Sequence, residues 1–314
     1  MATTINISTS YAGQDSKLWV RAALLSGNTL ANGGMTIIPN IAYKTTMFKI
    51  GTDDILKNAT CDFDATSTVT LSERSLTLEQ FQVNLQLCKK DFHNTWEAIT
   101  MGYSAFDNLP PSFADFLIAH VAAKVAEKTE QNIWKGATAT AGEFDGLVTL
   151  ATADATVLDV ASPVSGGITA ANVITELGKV VDLIPAALYG KEDLYLYVSQ
   201  SVARDYVRAL GGFGASGLGA NGTNAMGTQW FNNGSLSFDG VKIFVANGMA
   251  NDYIMAAQKS NLYFGTGLLS DQNEVKVIDM ADIDGSENVR VVMRFTAAVQ
   301  YGVGAEIVLY TPAA

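Results

Sequence analysis

One stretch of the chain, between residues 80 and 87, alternates strictly between polar and apolar positions. A period of two places the apolar side chains on one face of a β-strand and the intervening Gln and Asn side chains on the other. We predict that this strand pairs with the weaker strand pattern at 61–71 in a long hairpin that turns near Arg74 and Ser75. The apolar face of the strand consists of Phe81, Val83, Leu85 and Leu87.

The apolar face of this hairpin requires a cover. A two-stranded hairpin has little stability on its own in water, so its apolar stripe must pack on another surface. In a monomer that surface would be the chain's own core, and in an assembly it would be a neighbouring subunit. The alternation alone leaves both alternatives open.

A second pattern predicts a long helix at about 112–135. Ser112 follows two prolines as the N-cap, with Asp115 three residues later, and Gly136 ends the helix. At 1.5 Å per residue this helix is about 35 Å long and can serve as a spine for other elements. Its apolar stripe recurs every four residues, at Phe113, Leu117, Val121 and Val125.

The region after residue 168 alternates between helix and strand patterns. A helix capped by Thr169 and ended by Pro185 precedes a strand at 194–198 and a second helix at 199–210. Strands at 241–246, 253–257 and 261–264 follow, which predicts an α/β subdomain with helices beside a small sheet. The chain closes with strand patterns at 275–278, 288–302 and 305–310, which we expect to return to the sheet near the long helix.

Two segments lack regular periodicity. Residues 1–40 are sparsely charged and rich in Gly and Asn after residue 26, which predicts an extended arm that is ordered only when it lies on a neighbour. The segment 211–238 has no charged residue and eight glycines. We predict a long loop that packs against a partner through its aromatic residues Phe213, Trp230 and Phe231.

Composition favours self-association. Only 16% of the 314 residues are charged, below the roughly 25% that is typical of soluble domains. A surface with so few charges is expected to be covered by partners, although a compact Gly- and Ala-rich monomer is the alternative. The net charge of −11 argues against tight general binding to nucleic acid but suits a container that holds nucleic acid without adhering to it. No signal peptide or transmembrane pattern is found.

The two cysteines, Cys61 and Cys88, flank the predicted hairpin. Facing residues in a hairpin share a sheet face, and the register that brings the apolar residues together gives these two cysteines opposite faces. We therefore predict two reduced thiols.

No motif predicts a catalytic, cofactor or metal site. Gly212–Gly217 satisfies G-x-G-x-x-G, but a helix precedes it and more loop follows, so it lacks the strand-turn-helix context of a dinucleotide site. Asp282-Ile-Asp284-Gly285 lacks the full oxygen ligand set of a calcium loop and is interpreted as a turn. With only His93 and His120, the sequence offers no zinc spacing and no recognisable hydrolase triad.

Taken in order, these elements resemble the Hong Kong 97-type fold of tailed-bacteriophage major capsid proteins. LYLYV followed by SQSVARDYVRAL is similar to the strand and helix of the family's apical domain, and NVRVVMRFTAAVQYG with AEIVLY resembles its terminal peripheral strands. The resemblance spans nearly the whole chain and implies an α+β fold. Its implied parts are an N-terminal arm (1–40), an extended hairpin or E-loop (41–92), a peripheral domain (93–168 and 270–314) that contains the spine helix, and an apical domain (169–269).

This resemblance implies a structural protein that forms pentamers and hexamers of an icosahedral shell around double-stranded DNA. The resemblance also implies that the protein has no enzymatic activity, is assembled in the host cytoplasm and resides in the virion. Because no long helix precedes the arm, a separate scaffolding protein is implied, together with a portal and DNA held without sequence-specific binding; no membrane partner and no covalent cross-link are expected. The implied subunit contacts are the apolar hairpin face and the Gly-rich loop, through Phe81, Val83, Leu85, Leu87, Phe213, Trp230 and Phe231.

Two rival functions remain. An encapsulin-like nanocompartment would have the same fold and would enclose a cargo protein instead of a genome. A cytoplasmic α/β enzyme would be a stable monomer or small oligomer with a ligand-filled cleft in the 169–265 region.

Overall fold

The computed structural model describes residues 27–52, 56–59, 61, 68–88, 111–211, 236–267 and 275–313. Within these ranges the chain is of the α+β class, as predicted. The helices are α1 (Asn28–Ala31), α2 (Pro111–Lys135), α3 (Leu147–Ala153), α4 (Val173–Asp182), α5 (Gln200–Gly211) and α6 (Ala281–Asp284). The strands are β1 (Thr36–Ile38), β2 (Lys44–Thr52), β3 (Val69–Thr77), β4 (Glu79–Cys88), β5 (Leu158–Asp159), β6 (Leu194–Val198), β7 (Ser237–Phe238), β8 (Val241–Val245), β9 (Ile254–Gln258), β10 (Leu262–Thr266), β11 (Lys276–Asp279), β12 (Asn288–Tyr301) and β13 (Val308–Tyr310). Across these ranges no helix is both long enough and apolar enough to cross a membrane.

The predicted pairing of the hairpin is wrong. β4, the strand with strict alternation, pairs along its whole length with β12, in a register that places Phe81 opposite Phe295 and Leu87 opposite Val289. The hairpin is formed instead by β2 and β3, which pair antiparallel from Lys44 opposite Thr77 to Thr52 opposite Val69. Only Leu78 separates β3 from β4, and the two strands belong to different sheets, so no turn lies near Arg74 and Ser75.

A five-stranded sheet lies against the long helix. β12 is its central strand: β4 lies along one edge, and β11 and then β10 lie along the other, with β1 parallel to β10. The alternation of β4 and β12 places one apolar face toward α2, where Val121 and Val291 are buried. The predicted long helix is therefore present as α2, which begins at Pro111, before the predicted N-cap Ser112, and covers this sheet.

A six-stranded sheet, in the order β5-β13-β9-β6-β8-β7, forms the second layer. α4 and α5 cover one face of it, and the predicted apolar stripe of α4 is buried there. α4 begins at Val173 with Asn172 in the N-cap position, later than the predicted cap Thr169, whose backbone N–H donates to the Asn172 side chain. The last strand, β13, belongs to this sheet, whereas β12 returns to the spine helix as predicted.

The two sheets share one core around the C-terminal end of α2. Trp134 is fully buried there against Tyr197, with ring centroids 5.2 Å apart. Side chains from α3, β9, β10 and β12 complete this cluster, so the two layers form a continuous hydrophobic unit. Such a shared core fixes the position of the spine helix relative to both sheets.

The described part of the arm lies on the body of its own chain. Thr29 is fully buried; its hydroxyl and its backbone N–H both donate to the carboxylate of Glu130 on α2, and its hydroxyl accepts a bond from Trp134 Nε1 at 2.9 Å. Burial raises the pKa of the Glu130 carboxyl, and the bonds from Thr29 oppose that shift. Asn28 bonds through its side chain to Val245 and Asn247, so residues from 27 onward need no neighbour for their order.

Candidate assembly surface

The β2–β3 hairpin carries an exposed apolar face. Facing residues of an antiparallel pair share a face, and alternate residues along each strand do so too. Ile50 lies opposite Leu71 and Thr52 lies opposite Val69, with Phe48 two residues from Ile50 on the same face. The exposed fractions of Phe48, Ile50, Val69 and Leu71 are 65%, 69%, 66% and 65%. These four residues are called the hairpin patch below.

The opposite face of the hairpin packs, near residue 76, on the rest of the chain; this end of the hairpin is its base. Leu76 is 1% exposed and packs with Ile41, Leu78 and Ala298. Gly265 makes room for it, because a Cβ at Gly265 would lie 2.4 Å from Leu76 Cδ2. Since the residues of β3 alternate, burial of Leu76 on one side directs Val69 and Leu71 to the other side, away from the base contacts.

A polar cluster fixes the same base. The Arg74 guanidinium donates to Asp154 Oδ2 at 2.6 Å and lies 4.3 Å from the centroid of the Tyr301 ring. Tyr301 donates its hydroxyl to Asp154 Oδ2 at 2.9 Å, and Thr156 donates to the other carboxylate oxygen through its N–H and its hydroxyl. These four residues join the hairpin to α3, the turn after it and β12.

The electrostatics of the cluster follow from this geometry. The Arg74 bond, followed by the bonds from Thr156 and Tyr301, holds the pKa of the Asp154 carboxyl far below its usual range. Burial, with the bond to Asp154, raises the pKa of Tyr301 to about 12. At neutral pH the cluster is thus an ion pair with a neutral phenol, and both pKa shifts move away from neutrality, whereas general acid–base catalysis is most efficient with a pKa near the operating pH.

The described residues offer no metal centre. No group of three or more His, Cys, Asp or Glu side chains within these ranges could hold a metal ion. The hairpin patch itself contains no titratable side chain. What this surface can supply is apolar contact area for another macromolecule.

The structure separates the residues that the sequence suggested as contacts. Val83, Leu85 and Leu87 of β4 are half-buried and pack on the cluster around Val121 of their own chain. Phe81 packs on Phe144 and Phe295, with ring centroids 5.9 Å and 5.6 Å apart. The chain therefore covers this stripe itself, and a subunit contact there stays a prediction. Phe213, Trp230 and Phe231 lie outside the described residues.

The hairpin patch was missed by the sequence reasoning, although a signal for it exists. In KTTMFKIGT the residues at 46, 48, 50 and 52 alternate with 47, 49 and 51, and the second strand VTLSERSLT alternates as well. Both strands alternate less regularly than β4, and for that reason the hairpin was assigned to β4.

The cysteines are both free, Cys61 exposed and Cys88 half-buried. The register argument for free thiols fails, however, because Cys88 lies opposite Asn288 and not in a hairpin with residues near Cys61.

Comparison with known proteins identifies the fold. No protein-family model and no curated protein sequence matches the chain. Among solved structures it is similar to the capsid of the Myoviridae phage XM1, with a TM-score of 0.60 and 13% identity over 99% of each chain. It is also similar to the capsid of the native GTA particle (TM-score 0.60, 13% identity, 99% of this chain and 96% of that one) and to a structure from Mycobacterium phage Adephagia (TM-score 0.58, 17% identity, 94% and 92%). The chain therefore has the fold of phage capsid subunits along nearly its entire length.

Proposed function

We propose that this chain, with its phage-capsid fold, is the major capsid protein of a tailed bacteriophage and builds an icosahedral shell from pentamers and hexamers. In this assignment the fold is of the Hong Kong 97 type, with α2 as the spine helix. The five-stranded sheet belongs to the peripheral domain, and the six-stranded sheet with α4 and α5 forms the apical domain. The E-loop is the β2–β3 hairpin at 44–77, which replaces the range 41–92 expected from sequence.

The observation that carries this proposal is the hairpin patch on a capsid fold. Its four large apolar side chains each lie about two-thirds in solvent, while the chain has buried cores elsewhere. Covering such a side chain contributes on the order of 1–2 kcal/mol when a partly exposed group becomes fully buried. A shell repeats this contact at every subunit, so the summed contribution is large. A neighbouring subunit is thus the expected cover.

The remaining assignments follow from the same role. The protein is structural and has no catalytic activity; it is assembled in the host cytoplasm and resides in the virion. Its partners are further copies of itself, a separate scaffolding protein, a portal and packaged double-stranded DNA. The net charge of −11 allows DNA to be held without tight adhesion to the shell wall.

The test is the mass and shape of the purified protein across a concentration series. Light scattering is expected to give pentamer, hexamer or whole-shell masses, and electron microscopy is expected to show closed particles. Nuclease-protected DNA inside particles isolated from infected cells would support the capsid, and an enclosed enzyme would support the nanocompartment. A strict monomer at all concentrations, with a small molecule bound to the 169–265 region, would overturn the proposal in favour of an enzyme.

A further inference from the structure

A buried carboxyl group holds the described part of the arm on the body of the chain. Glu130 on α2 is 1% exposed, and its carboxylate accepts bonds from the backbone N–H of Thr29, at 3.0 Å, and from the Thr29 hydroxyl. The N–H of Gly248 and the indole N–H of Trp134 also donate to it. Gly248 approaches α2 so closely that a Cβ there would lie 2.0 Å from the backbone oxygen of Glu130. One carboxyl group thus connects the arm, the long helix and the loop after β8.

The groups that surround this carboxyl are neutral. A buried charge in a protein is usually paired with an opposite charge. Among the described residues no cation forms an ion pair with Glu130, and its bonding partners are the neutral donors of Thr29, Gly248 and Trp134. The side chains that adjoin it on the arm, on α2 and on β12 are apolar, and they include Leu30, Ile133, Met293 and Phe295. Only hydrogen bonds therefore compensate for the loss of water around the carboxylate.

The other titratable groups near the arm contact other atoms. Tyr197 of β6 donates its hydroxyl to the carbonyl of Gly34, and burial raises the pKa of this phenol, so it stays neutral in acid and at neutral pH. Lys259 lies beside Gly33, where a Cβ would be 3.3 Å from its Nζ. The charged neighbours on α2 itself are engaged in ion pairs, Lys124 with Glu127 and Lys128 with Glu143. A change of charge at the Thr29 contact therefore comes from Glu130.

Burial without a counter-charge favours the protonated form while the arm is in place. It raises the pKa of the Glu130 carboxyl, and the bonds from Thr29, Gly248 and Trp134 oppose this shift without cancelling it. When Thr29 leaves, the carboxyl meets water and its pKa returns toward about 4.3. The state with the arm in place thus binds the proton more readily. Its stabilisation by the proton is fully present below about pH 4.3 and is lost as the pH rises through the raised pKa.

We propose that Glu130 and Thr29 form a pH-sensitive latch, which holds residues 27–34 on the body most firmly in acid and loosens as the pH rises. Asn28 and Gly34, on either side of Thr29, bond to Val245 of β8 and Tyr197 of β6. Opening of the latch therefore loosens a strap that connects the long helix to the six-stranded sheet. The inference goes beyond the proposed shell function and does not depend on it, because the latch lies within one chain and works in the dispersed subunit.

Hydrogen exchange of the Thr29 amide reports how often the latch opens. In the dispersed subunit its protection factor, corrected for the pH dependence of unprotected amides, is expected to fall by about threefold or more between about pH 4 and pH 8. Each unit by which burial raises the pKa contributes up to about tenfold to this fall. The amide of Met255 is the internal control for global unfolding, because its strand β9 is paired on both sides, with β6 and β13. Its protection should not follow the same course.

Two Glu-to-Gln variants assign the pH dependence to one carboxyl group. E130Q keeps the size of the side chain and cannot ionise, so the protection of Thr29 should become independent of pH and stay near the native value in acid. The matched control E143Q removes a carboxylate that bonds to Lys128 and not to the arm, and it should keep the native pH dependence. The proposal is overturned if native protection is constant from about pH 4 to pH 8, or if folded E130Q keeps the native course.

A second pair of variants keeps the test decisive if E130Q does not fold. T29V removes the hydroxyl that donates to the carboxylate, and this bond is one of those that lower the pKa of Glu130. The fall in protection of residue 29 should therefore extend to higher pH in T29V, whereas T29S keeps the hydroxyl and should follow the native course. A native course in T29V would overturn the proposal. All of these measurements are made on the dispersed subunit, so their outcome is separate from whether shells form.

Discussion

β4 and the β2–β3 hairpin share a period of two but have opposite surroundings. Apolar and polar residues alternate over 80–87 in β4, and over the shorter stretches 48–50 and 69–71 in the hairpin. In β4 the apolar face meets the spine helix, and Leu85 packs near the buried Val121. In the hairpin the equivalent face, including Ile50 and Leu71, lies in solvent. A period of two defines a face, but only the position of the strand in the fold decides whether that face meets the chain itself or another subunit.

The largest expected effect is the loss of assembly, with folding unchanged, when charges are introduced into the hairpin patch. The double variant I50D/L71D places two carboxylates where apolar contact is proposed and should abolish shell formation. The monomer should keep its circular dichroism and unfolding midpoint, because both side chains are exposed. Light scattering measures the assembly. The control S72D lies on the other face of β3 and should still assemble; assembly by I50D/L71D would contradict the proposed role of the patch.

A pair of truncations compares the two regions in the single chain. L85A removes a half-buried side chain from the cluster around Val121 and should lower the free energy of unfolding by about 1–3 kcal/mol. L71A removes a side chain of the same type that is 65% exposed and should change it by less than about 0.5 kcal/mol. Urea unfolding of the dispersed subunit measures both. Equal losses would mean that the hairpin patch is covered by its own chain.

Much of the architecture follows from periodicity within single elements. The spine helix, the stripe of α4 and the strand Leu194–Val198 were predictable, because each buries a face whose repeat is visible locally. Strand partners were not, because pairing depends on contacts between residues distant in sequence: β4 meets β12 about 200 residues later. A hairpin with the nearest strand pattern was the wrong choice for that reason. The hairpin patch could have been predicted as strands but not as an exposed face.

The base of the β2–β3 hairpin is attached to the sheet that contains β4 and β12, and the variant R74A tests that attachment. R74A leaves Asp154 without its cation, and the side chains of this pair are 29% and 18% exposed. We expect a loss of about 1–2 kcal/mol in unfolding free energy and faster hydrogen exchange in β2 and β3. The control K128A removes the exposed Lys128–Glu143 ion pair and should cost less than about 1 kcal/mol. Unchanged exchange in the hairpin of R74A would show that Leu76 alone holds its base.

The smallest expected effect is the pH dependence that the Arg74–Asp154 ion pair adds to the free energy of unfolding. The pKa of Asp154 is lower in the folded chain than the usual value of about 3.9 for an unfolded Asp. The unfolded state therefore binds the proton more readily, and the stabilising contribution is present above about pH 4 and declines as the pH falls below that value. In R74A the pKa of Asp154 should rise toward its usual range, so the difference in unfolding free energy between the native chain and R74A should shrink between about pH 4 and pH 2. Urea unfolding of both proteins between about pH 4 and pH 2 measures this difference in free energy. A difference that stays constant would mean that Arg74 acts through its contact with the Tyr301 ring, which does not titrate there, and not through the carboxylate.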